Sequence, residues 1–460
     1  MLVTLDKDIF VVLFLGKNCY NLNEKNFKEL KFSMNYFQPK PSTNFNVTVD
    51  IPGSKSITNR ALILSALSGK NVTLRNILLS DDTKYMIEAL KALNNDIELD
   101  LQNKTLKIKG NKNPKFENLE IYIGNAGTAM RFLSSYLATG TGSAVLYGNA
   151  RMNVRPIKDL VDSLTQLGVK VEYLNEVGFP PIRITANGVS AKTVEIDCSK
   201  SSQYISSILM ASPNFKSPIE IKTIGRVVSK PYINMTLKMM KDFGIQFLEK
   251  DNSIYIQPQE YSTSEYLIEG DMSSASYFLA MALISNSTVR LNNFFKNSIQ
   301  GDSQFLNVLT KIGLKILSFN ETNITVQGVE NYNGIELSMN DIPDVAQTLA
   351  AVALFAETPT KVWDVENMRI KETDRISALK NEILKLNGNF EEFQDGFLIT
   401  PKPFTEYEGE FLETYDDHRM AMSLTLIGLR VPNIKILDPN CVSKTFPNFF
   451  EEFNKIYLGE

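Results

Sequence analysis

Ser274-Ala-Ser-Tyr-Phe-Leu-Ala-Met-Ala-Leu-Ile284 carries no charged residue and is apolar nearly all round when wound as a helix. Such a helix must be buried on every side. Five more stretches share the pattern, each opening on small or polar residues and continuing as an apolar run: Ser56 to Ala66, Thr128 to Leu137, Ser202 to Ala211, Pro343 to Ala356 and His418 to Leu429. Their starts recur roughly every 70 to 75 residues, which marks a repeat architecture.

Each of these helices is followed by an amphipathic one: Asp82 to Leu93, Pro156 to Leu167, Pro231 to Phe243, Asp302 to Ile312, Thr373 to Leu386 and Phe446 to Leu458. Gly168, Gly244, Gly313 and Gly388 stand just past four of them, where a left-handed cap is wanted, and alternating runs such as Val169-Lys-Val-Glu-Tyr173 then predict strands. The fold class is therefore α/β, one mixed unit copied six times. Three first helices per domain would be buried together, covered by the second helices and the strands. If they run parallel, their N-termini present unpaired N–H groups and positive dipole ends, which attract anions. The residues at the helix starts suit such a face: Lys55-Ser56, Asn125 to Thr128, Ser201-Ser-Gln203, Asp271 to Ser274, Asp344 and Asp417-His-Arg419.

The chain of 460 residues, 43% of them hydrophobic, is too long for one ordinary core, so two globular domains are expected. The longest apolar run near the N-terminus, Ile9 to Leu15, is far short of a membrane span and follows Asp6 and Asp8 rather than a basic cluster. No membrane partner, signal peptide or transit peptide is expected. Cys19, Cys198 and Cys441 lack CxxC spacing, which fits a reducing cytoplasm, and His418 is the sole histidine. The usual zinc and iron ligand sets are therefore missing, and neither a metal nor a cofactor is expected. A net charge of −4 argues against a nucleic-acid partner. Chemistry must fall to Lys, Arg, Asp and Glu.

Ile51-Pro-Gly-Ser-Lys-Ser-Ile-Thr-Asn-Arg60 places Lys55, Ser56 and Arg60 at a strand-to-helix junction. It is not a Walker A loop, because Gly53 does not directly precede Lys55 and the upstream glycine is missing. The stretch reads either as an anion site or as a capped helix start with a solvated lysine. Gly124-Asn-Ala-Gly-Thr-Ala-Met-Arg131 repeats the logic, with Gly127 allowing close backbone approach. Arg155, just before Pro156, either clamps a carboxylate or phosphate or faces solvent. Lys200-Ser-Ser-Gln203 offers hydroxyls and an amide at a helix start, where serines are also ordinary caps. Asn367 to Arg375 sets Arg369, Lys371 and Arg375 against Glu372 and Asp374, as a salt-bridged face or as a site. Arg419 enters an apolar helix, where an unpaired charge is costly, so it needs a ligand or an acidic partner. Asp81-Asp82 and Asp416-Asp417 could suggest a divalent metal, but helix-start capping suits them better. With Lys444, a net-negative chain thus commits Lys55, Arg60, Arg131, Arg155, Lys371, Arg375 and Arg419 to repeat junctions. A substrate with several negative charges accounts for that.

The segments around Lys55, Gly127, Arg155, Gln203, Asp271, Asp344, Glu372, Arg419 and Lys444 resemble EPSP synthases of the enolpyruvyl transferase family, and in the same order. Ile370-Lys-Glu-Thr-Asp-Arg375, Asp417-His-Arg-Met-Ala-Met422 and Ser443-Lys-Thr-Phe-Pro447 form the specific combination, and the likeness runs from about Val47 to the C-terminus. It implies an inside-out α/β fold of two globular domains, each of three units with buried parallel helices. One domain would be 47–54 plus 271–460 and the other 55–270, behind a flexible N-terminal extension over 1–46. The implied reaction transfers the enolpyruvyl group of phosphoenolpyruvate to the 5-hydroxyl of shikimate 3-phosphate and releases phosphate, in a monomer, on the route to chorismate and the aromatic amino acids.

Carried over position by position, the resemblance implies shikimate 3-phosphate contacts at Ser56, Arg60, Ser201, Ser202, Gln203, Ser229, Tyr232, Asp344, Asn367 and Lys371. It implies a phosphoenolpyruvate site at Lys55, Gly127, Arg155, Gln203, Arg375, Arg419 and Lys444. Glu372 would protonate the methylene carbon, Asp344 would deprotonate the hydroxyl, and Lys55 would stabilise charge and is a further candidate for proton transfer. Clustered cations favour ionised carboxylates while burial opposes them, and the sequence leaves that balance open. Glyphosate, which occupies the phosphoenolpyruvate site in this family, should compete with that substrate, and Gly127→Ala should push a methyl group toward it.

Two features depart from the family pattern. Phe132 follows Arg131 where many relatives carry proline, which bears on the shape of the phosphoenolpyruvate pocket, and about 33 residues precede Met34, near which family members commonly start. The related transferase acting on UDP-N-acetylglucosamine usually carries a cysteine in a glycine-rich loop, a setting none of the three cysteines has. A scaffold that had lost the chemistry would not need both candidate carboxylates and every cation.

Overall fold

In the computed structural model the described residues are 35–458, together with the backbone of Val11–Leu15 and Asn18–Leu22, which pair antiparallel. Six helix pairs follow one another. They are α1 (Lys55–Ser68) and α2 (Asp81–Ala92), α3 (Gly127–Ala138) and α4 (Lys158–Gln166), and α5 (Ser202–Ala211) and α6 (Lys230–Asp242). The second half adds α7 (Met272–Ile284) and α8 (Phe305–Lys311), α9 (Ala346–Ala353) and α10 (Arg375–Lys385), and α11 (His418–Ile427) and α12 (Phe449–Leu458).

The first helix of each pair is buried as its composition demands. Every residue of α7 is buried, and so is every residue of α1 from Ile57 onward. Ser54 caps α1 by accepting from the Ile57 N–H, and Gly69 ends it at φ 64°. The second helices are one-sided: α4 buries Leu160, Val161, Ser163 and Leu164 and leaves its other face outward. Pro343–Val345 and Gly301–Gln304 form 3-10 turns ahead of α9 and α8, so those two helices begin later than the spacing predicts. Gly168, Gly244 and Gly313 take positive φ, but Gly388 does not. Asn387 holds the left-handed position at φ 60°, and Gly388 is needed for space, since a Cβ there would lie 2.6 Å from Ile383 Cγ2.

Each of the first five units runs strand, first helix, parallel strand, second helix, hairpin. In the second unit Lys115–Tyr122 lies parallel to Thr141–Tyr147, with Ile182–Asn187 and then Lys170–Tyr173 antiparallel beyond it. Units one and four exchange their leading strands. Asn46–Asp50 pairs with Thr288–Asn292, and Glu265–Leu267 pairs with Asn71–Arg75. The chain therefore crosses between the two halves twice, and the crossings lie against each other. Gly53 bridges Gly270, the Ser54 N–H donates to Glu269 O at 2.8 Å, and the Asp271 N–H donates to Pro52 O at 2.8 Å.

Two hydrophobic cores result. One draws on Val47, Val49, Ile51 and residues from Met272 to Ile456, and the other on residues from Ile57 to Ile268. In each, the three first helices touch one another: α1, α3 and α5 in one, α7, α9 and α11 in the other. Among the described residues, no helix is long and apolar enough to cross a membrane.

The sixth unit corrects the expectation of a flexible extension over 1–46, as far as that stretch is described. After α12 the described chain has no hairpin left to close the last sheet. Tyr36–Phe37 takes the vacant place, antiparallel to Lys435–Leu437. The Phe37 ring lies 4.2 Å from Phe450 and 5.8 Å from Phe453. Residues 35–46 are thus part of the fold. The expectation for the residues ahead of them, including the removal of everything before Met34, lies outside the described residues apart from the paired backbone at 11–15 and 18–22. Because Phe37 is half-buried between two rings, Phe37→Ala should lower the unfolding free energy by about 2–3 kcal/mol in urea titrations. A loss under about 0.5 kcal/mol would mean that the strand does not close the sixth sheet.

Candidate active site

Helix starts from both cores meet at one cavity. Lys55, Ser56 and Arg60 of α1, Thr128 of α3, Ser201 to Gln203 at the start of α5, and Ser229 and Tyr232 at the start of α6 line it from one side. Pro343, Asp344, Asn367, Lys371 and Arg419 line it from the other. All ten positions expected to contact shikimate 3-phosphate lie in this lining. Ser201 caps α5 by accepting from the Gln203 N–H, and Ser229 stands in the left-handed region at φ 52°. There its N–H donates to Asn340 O at 3.1 Å and its Oγ accepts from Asn367 Nδ2 at 3.3 Å, so the two halves are joined at the cavity wall.

Beside the cavity lies a second cluster, organised by Arg375. Its guanidinium is 1% exposed and donates from Nη2 to Glu372 at 2.9 Å, from Nη1 to Asp344 at 3.2 Å and from Nε to Asp417 at 2.7 Å. Arg419 Nη2 donates to Asp344 Oδ2 at 2.9 Å. Glu372 also faces Arg155 at 3.6 Å and Lys444 at 3.8 Å. The Asn125 carbonyl accepts from Arg155 at 3.1 Å and from Lys444 at 2.7 Å, holding the two cations together. Gly127, Arg155, Glu372, Arg375, Arg419 and Lys444 therefore share one buried locus.

The balance between burial and cations that the sequence leaves open is decided here. Burial pushes Glu372 up, but Arg155, Arg375 and Lys444 outweigh it and hold the carboxyl well below its usual range. Burial likewise opposes ionisation of Asp344, and Arg419, Lys371 and Arg375 overcome it. Both carboxyls lie below unfolded values of about 4, so their ion pairs contribute stability that is present above about pH 4 and is lost as pH falls through the folded values. Burial pushes Lys371 down, with Asp344 opposing. His418 is pushed well below its ordinary value by burial, Lys55 and Arg419, and is neutral.

Several side chains have roles that the sequence does not reveal. Arg131 faces no open site: its guanidinium donates to Pro156 O at 2.7 Å and Gly127 O at 3.2 Å, bracing the turn that carries Arg155. Phe132 is fully buried, with the Arg60 guanidinium 5.1 Å above its ring. A Cβ on Gly127 would lie 2.7 Å from Arg155 Nη2, so Gly127→Ala would press on the Arg155 guanidinium. Asp82 is not merely a helix-start residue, since it pairs with Lys444 at 2.7 Å and Lys55 at 3.4 Å. Asp302, at the corresponding place in the fourth unit, points to Tyr232 and Ser273. An acid opening the second helix in both halves is the one sequence signal these two share.

A family model described as EPSP synthase (3-phosphoshikimate 1-carboxyvinyltransferase) matches residues 39–453. A protein of Vibrio cholerae serotype O1 (strain M66-2) named 3-phosphoshikimate 1-carboxyvinyltransferase is 43% identical over 413 residues, 89% of this chain and 96% of its own. The chain belongs to the EPSP synthase family. A second relative of the same name, from Haemophilus influenzae (strain PittGG), is 44% identical over 425 residues, covering 89% of this chain and 96% of its own. The fold agrees with this membership. The EPSP synthase of Acinetobacter baumannii superposes with a TM-score of 0.75 at 24% identity, covering 92% of this chain and 97% of that one. The enolpyruvyl transferase NikO of Streptomyces tendae does so at 0.70 and 14% identity, over 92% and 97% of the two chains. The EPSP synthase fold of six α/β units thus brings the two carboxylates and the cations of the motifs to one place.

The Asp82–Lys444 pair spans 362 residues of sequence and joins the two cores. A double-mutant cycle with Asp82→Asn and Lys444→Met should return a coupling of about 1–3 kcal/mol in unfolding free energy. A coupling near zero would mean that the cores are not tied through this pair.

Proposed function

We propose that the cavity and the adjoining cation cluster divide the two substrates of EPSP synthases between them. As a member of that family, the chain transfers the enolpyruvyl group of phosphoenolpyruvate to the 5-hydroxyl of shikimate 3-phosphate, a step of the shikimate pathway. Shikimate 3-phosphate takes the hydroxyl- and amide-rich wall of Ser56, Ser201, Ser202, Gln203, Ser229, Tyr232 and Asn367, with Arg60 and Lys371 supplying positive charge. Phosphoenolpyruvate takes the site of Lys55, Gly127, Arg155, Gln203, Arg375, Arg419 and Lys444. The observation that carries this division is that one buried guanidinium, Arg375, binds both Glu372 and Asp344, so the two proton-handling groups stand on either side of a single anchor.

In the addition step Asp344 takes the 5-hydroxyl proton as that oxygen bonds to the central carbon of phosphoenolpyruvate. The π pair moves to the methylene carbon, which receives the Glu372 proton. Phosphate then leaves from the tetrahedral adduct, taking up the proton that Asp344 holds, and a methyl proton returns to Glu372 as the double bond reforms. Lys55 and Arg155 stabilise charge on the transferring groups. Glu372 is ionised before substrate arrives, because Arg155, Arg375 and Lys444 outweigh burial. An anionic substrate on Arg155 and Lys444 removes that bias and adds negative charge beside Glu372, so binding itself raises its proton affinity.

The two cores, over 47–54 with 271–460 and over 55–270, act as domains that close on the substrates. Both substrate sets come from one chain, which supports action as a monomer, and the free, buried Cys198 and Cys441 support a reducing cytoplasmic setting. Phosphate release that requires both phosphoenolpyruvate and shikimate 3-phosphate, and that does not occur with UDP-N-acetylglucosamine, tests the reading; release with the UDP-sugar instead would overturn it. Glu372→Gln keeps the shape and removes the proton, so turnover should fall by about 100- to 10,000-fold while shikimate 3-phosphate affinity changes little. Turnover within about threefold of the parent would exclude Glu372 from carbon protonation.

A further inference from the structure

We propose that Asp302 is a positioning residue for the candidate base: a protonated carboxyl that turns the Tyr232 hydroxyl so that its proton points at Asp344. This rests on the reading of Asp344 as the group that deprotonates the substrate hydroxyl.

Tyr232 Oη lies 3.2 Å from Asp344 Oδ2 and 3.4 Å from Asp302 Oδ2. A phenol has one proton to donate. Were both carboxyls ionised, the one left without it would face an oxygen lone pair at hydrogen-bond distance in a buried site, an unsatisfied contact of the costly kind. One of the two must carry a proton.

The surroundings decide which. Asp344 is bound by Arg375 and by Arg419, whereas the contacts of Asp302 are hydroxyls: Tyr232, and Ser273, whose Oγ hydrogen-bonds Oδ2. Asp302 Oδ1 is buried and has no partner among the described residues. The charged groups that face Asp302 are Asp344 from the turn before α9, Asp271 from the cap of α7 and Arg419 from α11, with the phenol of Tyr232 from α6. Burial and the two carboxylates outweigh Arg419 and the Ser273 hydrogen bond, and the Asp302 carboxyl is pushed up to about 7.

With the proton on Asp302 Oδ2, every donor has one acceptor. Arg419 Nη2 donates to Ser273 Oγ at 3.4 Å, Ser273 to Asp302, Asp302 to Tyr232, and Tyr232 to Asp344, which Arg419 also binds. The ring closes on the base. When Asp302 ionises, the Tyr232 proton turns toward it, and Asp344 loses both a hydrogen bond and its aim while gaining a second negative charge nearby. The protonated form of Asp302 is therefore the active one.

The kcat of the parent should fall on the alkaline side of an inflection near neutrality, by about tenfold per pH unit. Asp302→Asn keeps a donor to Tyr232 at every pH and should flatten that limb, whereas a merely structural residue would lower kcat alike at all pH values. Ser273→Ala removes the hydrogen bond that favours ionised Asp302 and should move the limb to higher pH, which keeps the test open if Asp302→Asn does not fold. An alkaline limb unmoved in both variants overturns the proposal. Infrared difference spectra of the ligand-free protein between about pH 6 and about pH 8.5 should show the stretch of a protonated carboxyl that titrates in the parent, and its absence there overturns the proposal as well. That band does not depend on catalysis. If Asp344 is not the base, Asp344→Asn keeps its turnover while the parent band remains, so the two failures are distinct.

Discussion

Arg375 binding Glu372, Asp344 and Asp417 at once is the interaction on which the site depends. Three buried carboxylates without a cation would repel one another and take up protons, and a buried guanidinium without carboxylates would be costly in its own right. The pairings need α10, α11 and the turn before α9 to converge, because Arg375 opens α10, Asp417 caps α11 and Asp344 lies in that turn. The repeat supplies the convergence. Three first helices share one core, so their starts meet at one end, and residues far apart in sequence become neighbours.

The double crossing of the chain does for the two halves what Arg375 does for one. Paired backbone at Gly53 and Gly270 sets the start of α1 beside the start of α7, and the Lys55 N–H donates to Asp271 Oδ2 at 3.1 Å. Lys55 thereby reaches Asp82, which Lys444 approaches from the other core. Cations outnumber what the resident carboxylates of this locus can satisfy, and the surplus is what an anionic substrate would meet. Glu372 and Asp344 are each paired with cations in the free protein, so a substrate that takes over some of those cations must change the proton affinity of the carboxylates it displaces.

Much of this was legible in the sequence because burial on all sides leaves a signature that few other constraints imitate. The uncharged run from Ser274 to Ile284 could only be a core helix, and its recurrence exposed the repeat. Arg419 was legible for the converse reason, as a charge entering an apolar helix that had to find a partner. Tyr36–Phe37 was not, since two residues give no periodicity and their partner strand lies at the other end of the chain. Nor were Asp82 and Asp302, because an acid in the first turn of a helix is already accounted for by the dipole, and nothing local tells a cap from an ion pair made 362 residues away. Arg131 and Arg155 look alike in sequence. Only the packing shows that the first braces the turn and the second faces Glu372.

On the proposed mechanism Glu372, ionised in the free protein, gains a proton when a ligand occupies its cations. Proton uptake on binding tests this most directly, by calorimetry of glyphosate binding in the presence of shikimate 3-phosphate, a pair that cannot react, in buffers of different ionisation enthalpy near pH 7. The account predicts a net uptake in the parent that is reduced or lost in Glu372→Gln, whose amide cannot take a proton. Equal proton linkage in the two proteins would contradict it.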